Sequence, residues 1–66
     1  MSTPVLRRGE VVDAVVTAVM PFGVFVRTET GIPGLVRGER HDVGAVVRLH
    51  VVEFDAEQHR FSAAAS

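Results

Sequence analysis

Residues 10–27 read EVVDAVVTAVMPFGVFVR, and this stretch decides the fold. From Glu10 to Met20 apolar residues are nearly continuous, valine dominates, and no single stripe recurs at the period of an amphipathic helix. Branching at the β-carbon favours pleated structure, so Glu10–Met20 reads as one long strand. The small residues Ala14 and Ala18 permit that strand to bend and serve two sides of a barrel. Pro21 ends it by removing an amide donor, Gly23 lets the chain turn, and Val24–Arg27 resumes as a second strand. Side chains alternate along a strand, so if Val24 and Val26 face a core, Phe25 faces outward. An exposed Phe beside a turn calls for a reason, which makes Phe25 a candidate binding residue.

Outward from this stretch the pattern stays all-β. Thr28–Pro33 is polar and contains Gly31, a hairpin connection to a short third strand at Gly34–Arg37. Gly38–Gly44, GERHDVG, is a polar connector bracketed by glycines. A fourth strand follows over Ala45–Phe54, with Val47, Leu49 and Val51 on one face and Arg48 and His50 on the other. Asp55–His59 forms a polar loop, and Arg60, Phe61 and Ser62 begin a last strand that fades into the terminal AAAS. Met1–Pro4 reads as a loose lead. There is no internal repeat and no linker, so residues 1–66 are expected to form a single domain with its core over about residues 8–62.

Sixty-six residues suffice for one core. With no cysteine and no clustered Cys/His pattern, neither disulfides nor a structural zinc stabilise it, and apolar packing must do so. No apolar run approaches the roughly 18–20 residues that span a bilayer, and no secretory leader opens the chain, so no membrane association is expected and the default location is the cytoplasm. Seven arginines, no lysine and eight acidic residues give a net charge of −1, so any attraction for nucleic acid must come from a local cluster of cations.

Catalysis finds no support in the residue pattern. Asp13, Glu53, Asp55 and Glu57 supply carboxylates, but there is no nucleophile with a nearby base, no phosphate-cradling Gly-rich loop and no metal or other cofactor motif. His41, His50 and His59 are evenly spaced along the chain without matching a metal-ligand pattern. A binding module is expected, not an enzyme.

Gly9, then Val11, Val12 and Val15, then Phe22-Gly23-Val24-Phe25-Val26, then Gly34-Leu35-Val36, then Gly44 with Val46 and Val47, then Asp55 and Arg60, follow one another in an order and spacing that resemble the S1 domain. That family comprises RNA-binding repeats of a large ribosomal protein, of exoribonucleases and of translation factors. The likeness covers about Arg8 to Ser62, and FGVFV followed by GLV is its most specific part. The resemblance implies a five-stranded antiparallel OB-fold β-barrel, here as a stand-alone domain, with the nucleic-acid face on its second and third strands and neighbouring loops.

The family's two surface aromatics fall on Phe22 and Phe25, its strand-three histidine position on Arg37, and its later polar pair on Asp55 and Arg60. These five residues are the candidate RNA-binding site, with single-stranded RNA as the implied partner. Unpaired bases stack on exposed rings, and a guanidinium at the histidine position both stacks on bases and contacts phosphate. By itself Asp55 reads as a residue that accepts backbone amides to shape the following loop. Arg48 joins Arg37 and Arg60 as a possible phosphate contact, and Arg7, Arg8 and Arg40 as a wider rim offset by Glu10, Glu39 and Asp42.

Three features depart from the family. The connector after strand three is short, the last strand ends FSAAAS, and lysine is absent. These departures favour the alternative expectation, an OB-fold protein-protein interaction module that has lost nucleic-acid binding and docks on a ribonuclease, polymerase or ribosomal component.

Overall fold

A computed structural model describes residues 5–65; the expected loose lead, Met1–Pro4, lies outside the described residues. Five strands run in the order β1 (Val11–Met20), β2 (Gly23–Thr28), β3 (Pro33–Arg37), β4 (Val46–Asp55) and β5 (Arg60–Ala65), each within a residue or two of its expected bounds except that β5 extends through the alanines. They close into a barrel in the order β1-β2-β3-β5-β4, with β4 returning to β1. The strand contacts β1–β2, β2–β3, β1–β4 and β4–β5 are antiparallel.

The β3–β5 contact is parallel, pairing Gly34 with Phe61, Leu35 with Ser62 and Val36 with Ala63, and this corrects the expectation of an antiparallel barrel. The reason is parity. Directions cannot alternate all the way around a ring with an odd number of strands, so a closed five-stranded barrel must contain a like-directed pair. The longest of the four connections, though short for the family, falls between β3 and β4, and it leaves β3 and β5 as that pair.

β1 bends as expected, by a bulge. It pairs with β4 through Val11–Val15 and with β2 from Ala14 onward, and its register with β2 slips between Val16 and Ala18. Thr17 is the extra residue, and such an insertion kinks and twists a strand so that one segment can serve two neighbours. The Thr17 hydroxyl donates to the Phe25 carbonyl at 3.3 Å, tying the bulge to β2.

The core is apolar and contiguous: Ala14, Val16, Val24, Val26, Ile32, Val36, Leu49, Val51, Phe61 and Ala63 are buried. Each fully buried Val, Ile or Leu contributes roughly 1.5–3 kcal/mol, which is how a short chain without cysteine holds together. The β2–β3 hairpin is closed by Thr28, a buried polar residue. Its hydroxyl accepts the Ile32 amide at 3.0 Å, while its own amide donates to the Ile32 carbonyl at 3.0 Å.

The connector after β3 carries no helix. Gly38 donates to the Phe22 carbonyl at 3.1 Å, and at the far end Gly44 donates to the Val16 carbonyl at 2.8 Å. The short segment is thus pinned at one end to the β1–β2 turn and at the other to the bulge of β1. Among the described residues no helix is long and apolar enough to cross a membrane.

Candidate nucleic-acid interface

One open groove, of about 760 Å³, crosses the outer face of β2, β3, β5 and β4, and all five candidate residues line it. Phe22, Phe25, Arg37, Asp55 and Arg60 share its walls with Glu53 and Ser62, above Gly34, Leu35 and Phe61. Residues far apart in the chain meet here because the barrel closes through the β3–β5 pair.

Register places the groove's centre line. Phe25 stands opposite Leu35, Leu35 opposite Ser62, and Ser62 opposite Glu53, one row running across four strands. Phe25 points outward because Val24 and Val26 are buried on either side of it, as alternation requires. The residue remains 38% exposed although it sits within a strand.

Phe22, in the β1–β2 turn, is 51% exposed and meets Phe25 edge to face, with centroids 6.1 Å apart and planes at 82°. Two non-local contacts hold that turn. One is the Gly38 amide on the Phe22 carbonyl. The other is the close approach of Gly23 to β3, where a side-chain carbon on Gly23 would collide with the Val36 carbonyl oxygen.

Asp55 shapes the loop, as its residue type suggests: its Oδ1 accepts the amides of Glu57 and Gln58, both at 3.0 Å. This closes the β4–β5 turn, in which Asp55 pairs with Arg60 across the hairpin and His59 adopts a left-handed backbone with φ of 54°. Arg37 ends β3 and Arg60 begins β5, both exposed, so two guanidinium groups reach the groove.

Glu53, which the sequence offers only as a carboxylate without catalytic partners, reaches the groove through a second bulge. The β4–β5 register slips between Val51 and Glu53, making Val52 the extra residue. Regular alternation from buried Val51 would drive Glu53 into the core and Phe54 outward. The slip does the reverse: Glu53 and Asp55 face the groove and Phe54 packs against the core. The signal was present in the chain, because continuing the inward face Val47, Leu49, Val51 would bury an unpaired carboxylate, a costly arrangement. Leu35, Phe61 and Ser62 were not singled out either, since their joint position depends on the β3–β5 pairing.

The remaining candidates lie elsewhere. Arg48 does not line the groove; its Nε donates to Asp13 Oδ1 at 3.2 Å across the exposed β1–β4 face. Arg7, Arg8 and Arg40 are exposed outside the groove lining. His41 contacts Glu39 at 3.3 Å, His50 lies on β4, and His59 meets the Phe54 ring edge to face at 5.9 Å. Among the described residues no group of three or more His, Cys, Asp or Glu is placed to hold a metal ion.

A closed five-stranded barrel with this strand order is an OB fold, and a groove of exposed aromatics and arginines on β2, β3 and the adjoining strands is a surface suited to an extended polar ligand. The model of the S1 RNA binding domain matches residues 5–40. The small ribosomal subunit protein bS1 of Mycolicibacterium smegmatis is 39% identical over 66 aligned positions, which take in 82% of this chain and 14% of that protein. The chain belongs to the S1 RNA-binding domain family. It spans about one-seventh of the length of the curated relatives it matches.

Solved structures agree on the fold. Protein MJ1198 of Methanocaldococcus jannaschii superposes with a TM-score of 0.84 at 18% identity, covering 96% of both chains. GSP13 of Bacillus subtilis gives 0.82 at 25% identity, covering 91% of this chain and 55% of that one.

Proposed function

We propose that this domain binds single-stranded RNA in the β2–β3–β5–β4 groove without catalysing a reaction. The observation that carries the reading is the convergence of Phe22, Phe25, Arg37, Asp55 and Arg60, drawn from three separate parts of the chain, on one open groove in a member of the S1 RNA-binding family. Unpaired bases lie on Phe25 and Phe22, whose mutual edge-to-face contact sets the two rings at a steep angle, so that they offer separate stacking surfaces. Arg37 and Arg60 meet phosphates or base edges from either end of the groove. Asp55 holds the β4–β5 turn and thereby Arg60, its partner across the hairpin.

Stacking tolerates any base, so affinity is set by the rings while the arginines add a modest salt-dependent part. The ribosomal relatives fit a binding role, a cytoplasmic setting and assembly with a larger ribonucleoprotein partner. The test is titration of a fluorescent single-stranded oligoribonucleotide of mixed sequence with the wild-type protein and with Phe25→Ala, at low and moderate salt. Binding that weakens with salt and is lost in the folded variant supports the reading; no binding by folded wild type at low salt overturns it.

A second reading, a protein-docking module, draws on one observation. Glu53 and Asp55 offset Arg37 and Arg60 in the groove lining, so the surface is not strongly basic. Folded wild-type protein that ignores RNA but retains a ribosomal, ribonuclease or polymerase partner in a pull-down favours this alternative.

A further inference from the structure

The groove contains a group that works against phosphate and whose position requires a local irregularity. Glu53 lies on the outer face only because β4 is bulged at Val52, and it ends the row Phe25, Leu35, Ser62, Glu53. Its side chain is exposed, and among the described residues it makes no ion pair and no hydrogen bond. By contrast, the neighbouring Asp55 uses Oδ1 on the turn amides. An unengaged carboxylate in a groove that takes a polyanion weakens binding unless it meets hydrogen-bond donors on the ligand, and the donors of RNA are on its base edges and 2′-hydroxyls.

We propose that Glu53 makes the groove selective for guanine, its carboxylate accepting from N1–H and the N2 amine of a base laid between Ser62 and Arg60. This rests on the RNA reading above and supplies the specificity that stacking lacks. Guanine presents two adjacent donors on its Watson–Crick edge, and a carboxylate presents two acceptors at matching separation. Uracil offers one donor flanked by two carbonyl oxygens, which repel the carboxylate. Cytosine and adenine each offer a single amine beside an acceptor nitrogen.

Three strand spacings separate Glu53 from Phe25, about 14 Å, so the base that Glu53 reads belongs to a different nucleotide from the one stacked on Phe25. Ser62, directly opposite Glu53, has a hydroxyl that can turn toward guanine O6 or toward the ribose.

The experiment measures the affinity of the wild type, Glu53→Gln and Phe25→Ala for oligouridine of about 8 nucleotides carrying one central guanine, inosine, cytosine, adenine or no replacement. Inosine keeps N1–H and lacks the N2 amine. The wild type is expected to favour the guanine strand over plain oligouridine by at least about fivefold, the lower end for a bidentate base contact, with inosine between the two. Glu53→Gln is expected to bring guanine and uracil within about twofold of each other while binding oligouridine at least as well as wild type, because a negative charge has left the groove.

Equal affinity of the wild type for guanine and plain strands, or a guanine preference unchanged in Glu53→Gln, overturns the assignment. If Phe25-dependent binding persists in that case, the RNA reading stands and only the guanine assignment falls. If no strand binds folded wild-type protein, both fall together.

Discussion

Gly34 of β3 packs against the ring of Phe61 of β5, its register partner, and a β-carbon on Gly34 would collide with the Cδ1, Cε1 and Cζ edge of that ring. Phe61 is buried and also floors the groove, so the contact joins core and groove. Gly34→Ala is expected to overpack this point and cost about 1–3 kcal/mol, lowering the melting temperature by roughly 4–8 °C per kcal/mol for a domain of this size. Thermal denaturation followed by circular dichroism checks this. Adding Phe61→Leu to Gly34→Ala should recover part of the loss, because the smaller side chain vacates the space the new methyl needs; an additive loss would show that the clash is relieved some other way.

Phe25 can be removed without dismantling the barrel. Phe25 is 38% exposed and stands outside the buried core cluster. Phe25→Ala should weaken oligonucleotide binding by about 1–3 kcal/mol while the far-ultraviolet spectrum is retained, and Phe22→Ala should give a loss in the same range. Fluorescence anisotropy beside thermal melts separates the two effects. A large drop in stability with unchanged affinity would make Phe25 a packing residue.

The arginines should show themselves in salt dependence. With Arg37 and Arg60 the two cations lining the groove, the logarithm of affinity is expected to fall against the logarithm of salt concentration with a slope of about −1.4. Arg37→Gln or Arg60→Gln should each reduce that slope by about 0.7. Arg48→Gln should leave it unchanged, since Arg48 is engaged with Asp13 on another face. A slope as steep for Arg37→Gln as for wild type would remove Arg37 from phosphate contact.

Asp55 has a structural role separable from any contact with RNA. Because Oδ1 accepts two turn amides, Asp55→Ala should cost about 1 kcal/mol of stability, whereas Asp55→Asn keeps an acceptor oxygen and should remain close to wild type. If Asp55→Asn melts like wild type yet alters affinity, the carboxylate acts on the ligand directly. If only Asp55→Ala changes affinity, it acts by placing Arg60.

The legible parts of this protein were those with local causes. Valines alternating about Phe25 gave that side chain's direction, and Pro21 and Gly23 gave the turn that carries Phe22. The conformation of that turn was not legible, because it depends on the Gly38 amide and on β3 backbone more than a dozen residues away in the chain. The antiparallel expectation, implied by the resemblance and suited to the half-buried pattern of β4, missed the parity of the closed ring. Glu53 is legible in the sequence only as a carboxylate without a catalytic partner, and its direction is not, because the chain slips by one residue at Val52, where simple alternation from Val51 would point it inward. In both places pairing between distant strands decides what a pattern over a few residues cannot.

The parallel β3–β5 contact also fixes when the groove comes into being. On one side of it lie Phe22, Phe25 and Arg37, and on the other Glu53, Asp55 and Arg60. During synthesis the first group emerges early, but it faces nothing until the final strand has left the ribosome and slid in beside β3. A chain arrested after β4 therefore carries the stacking rings without a groove. A nucleic acid bound in the proposed groove spans the β3–β5 joint and acts as a clasp on its two sides.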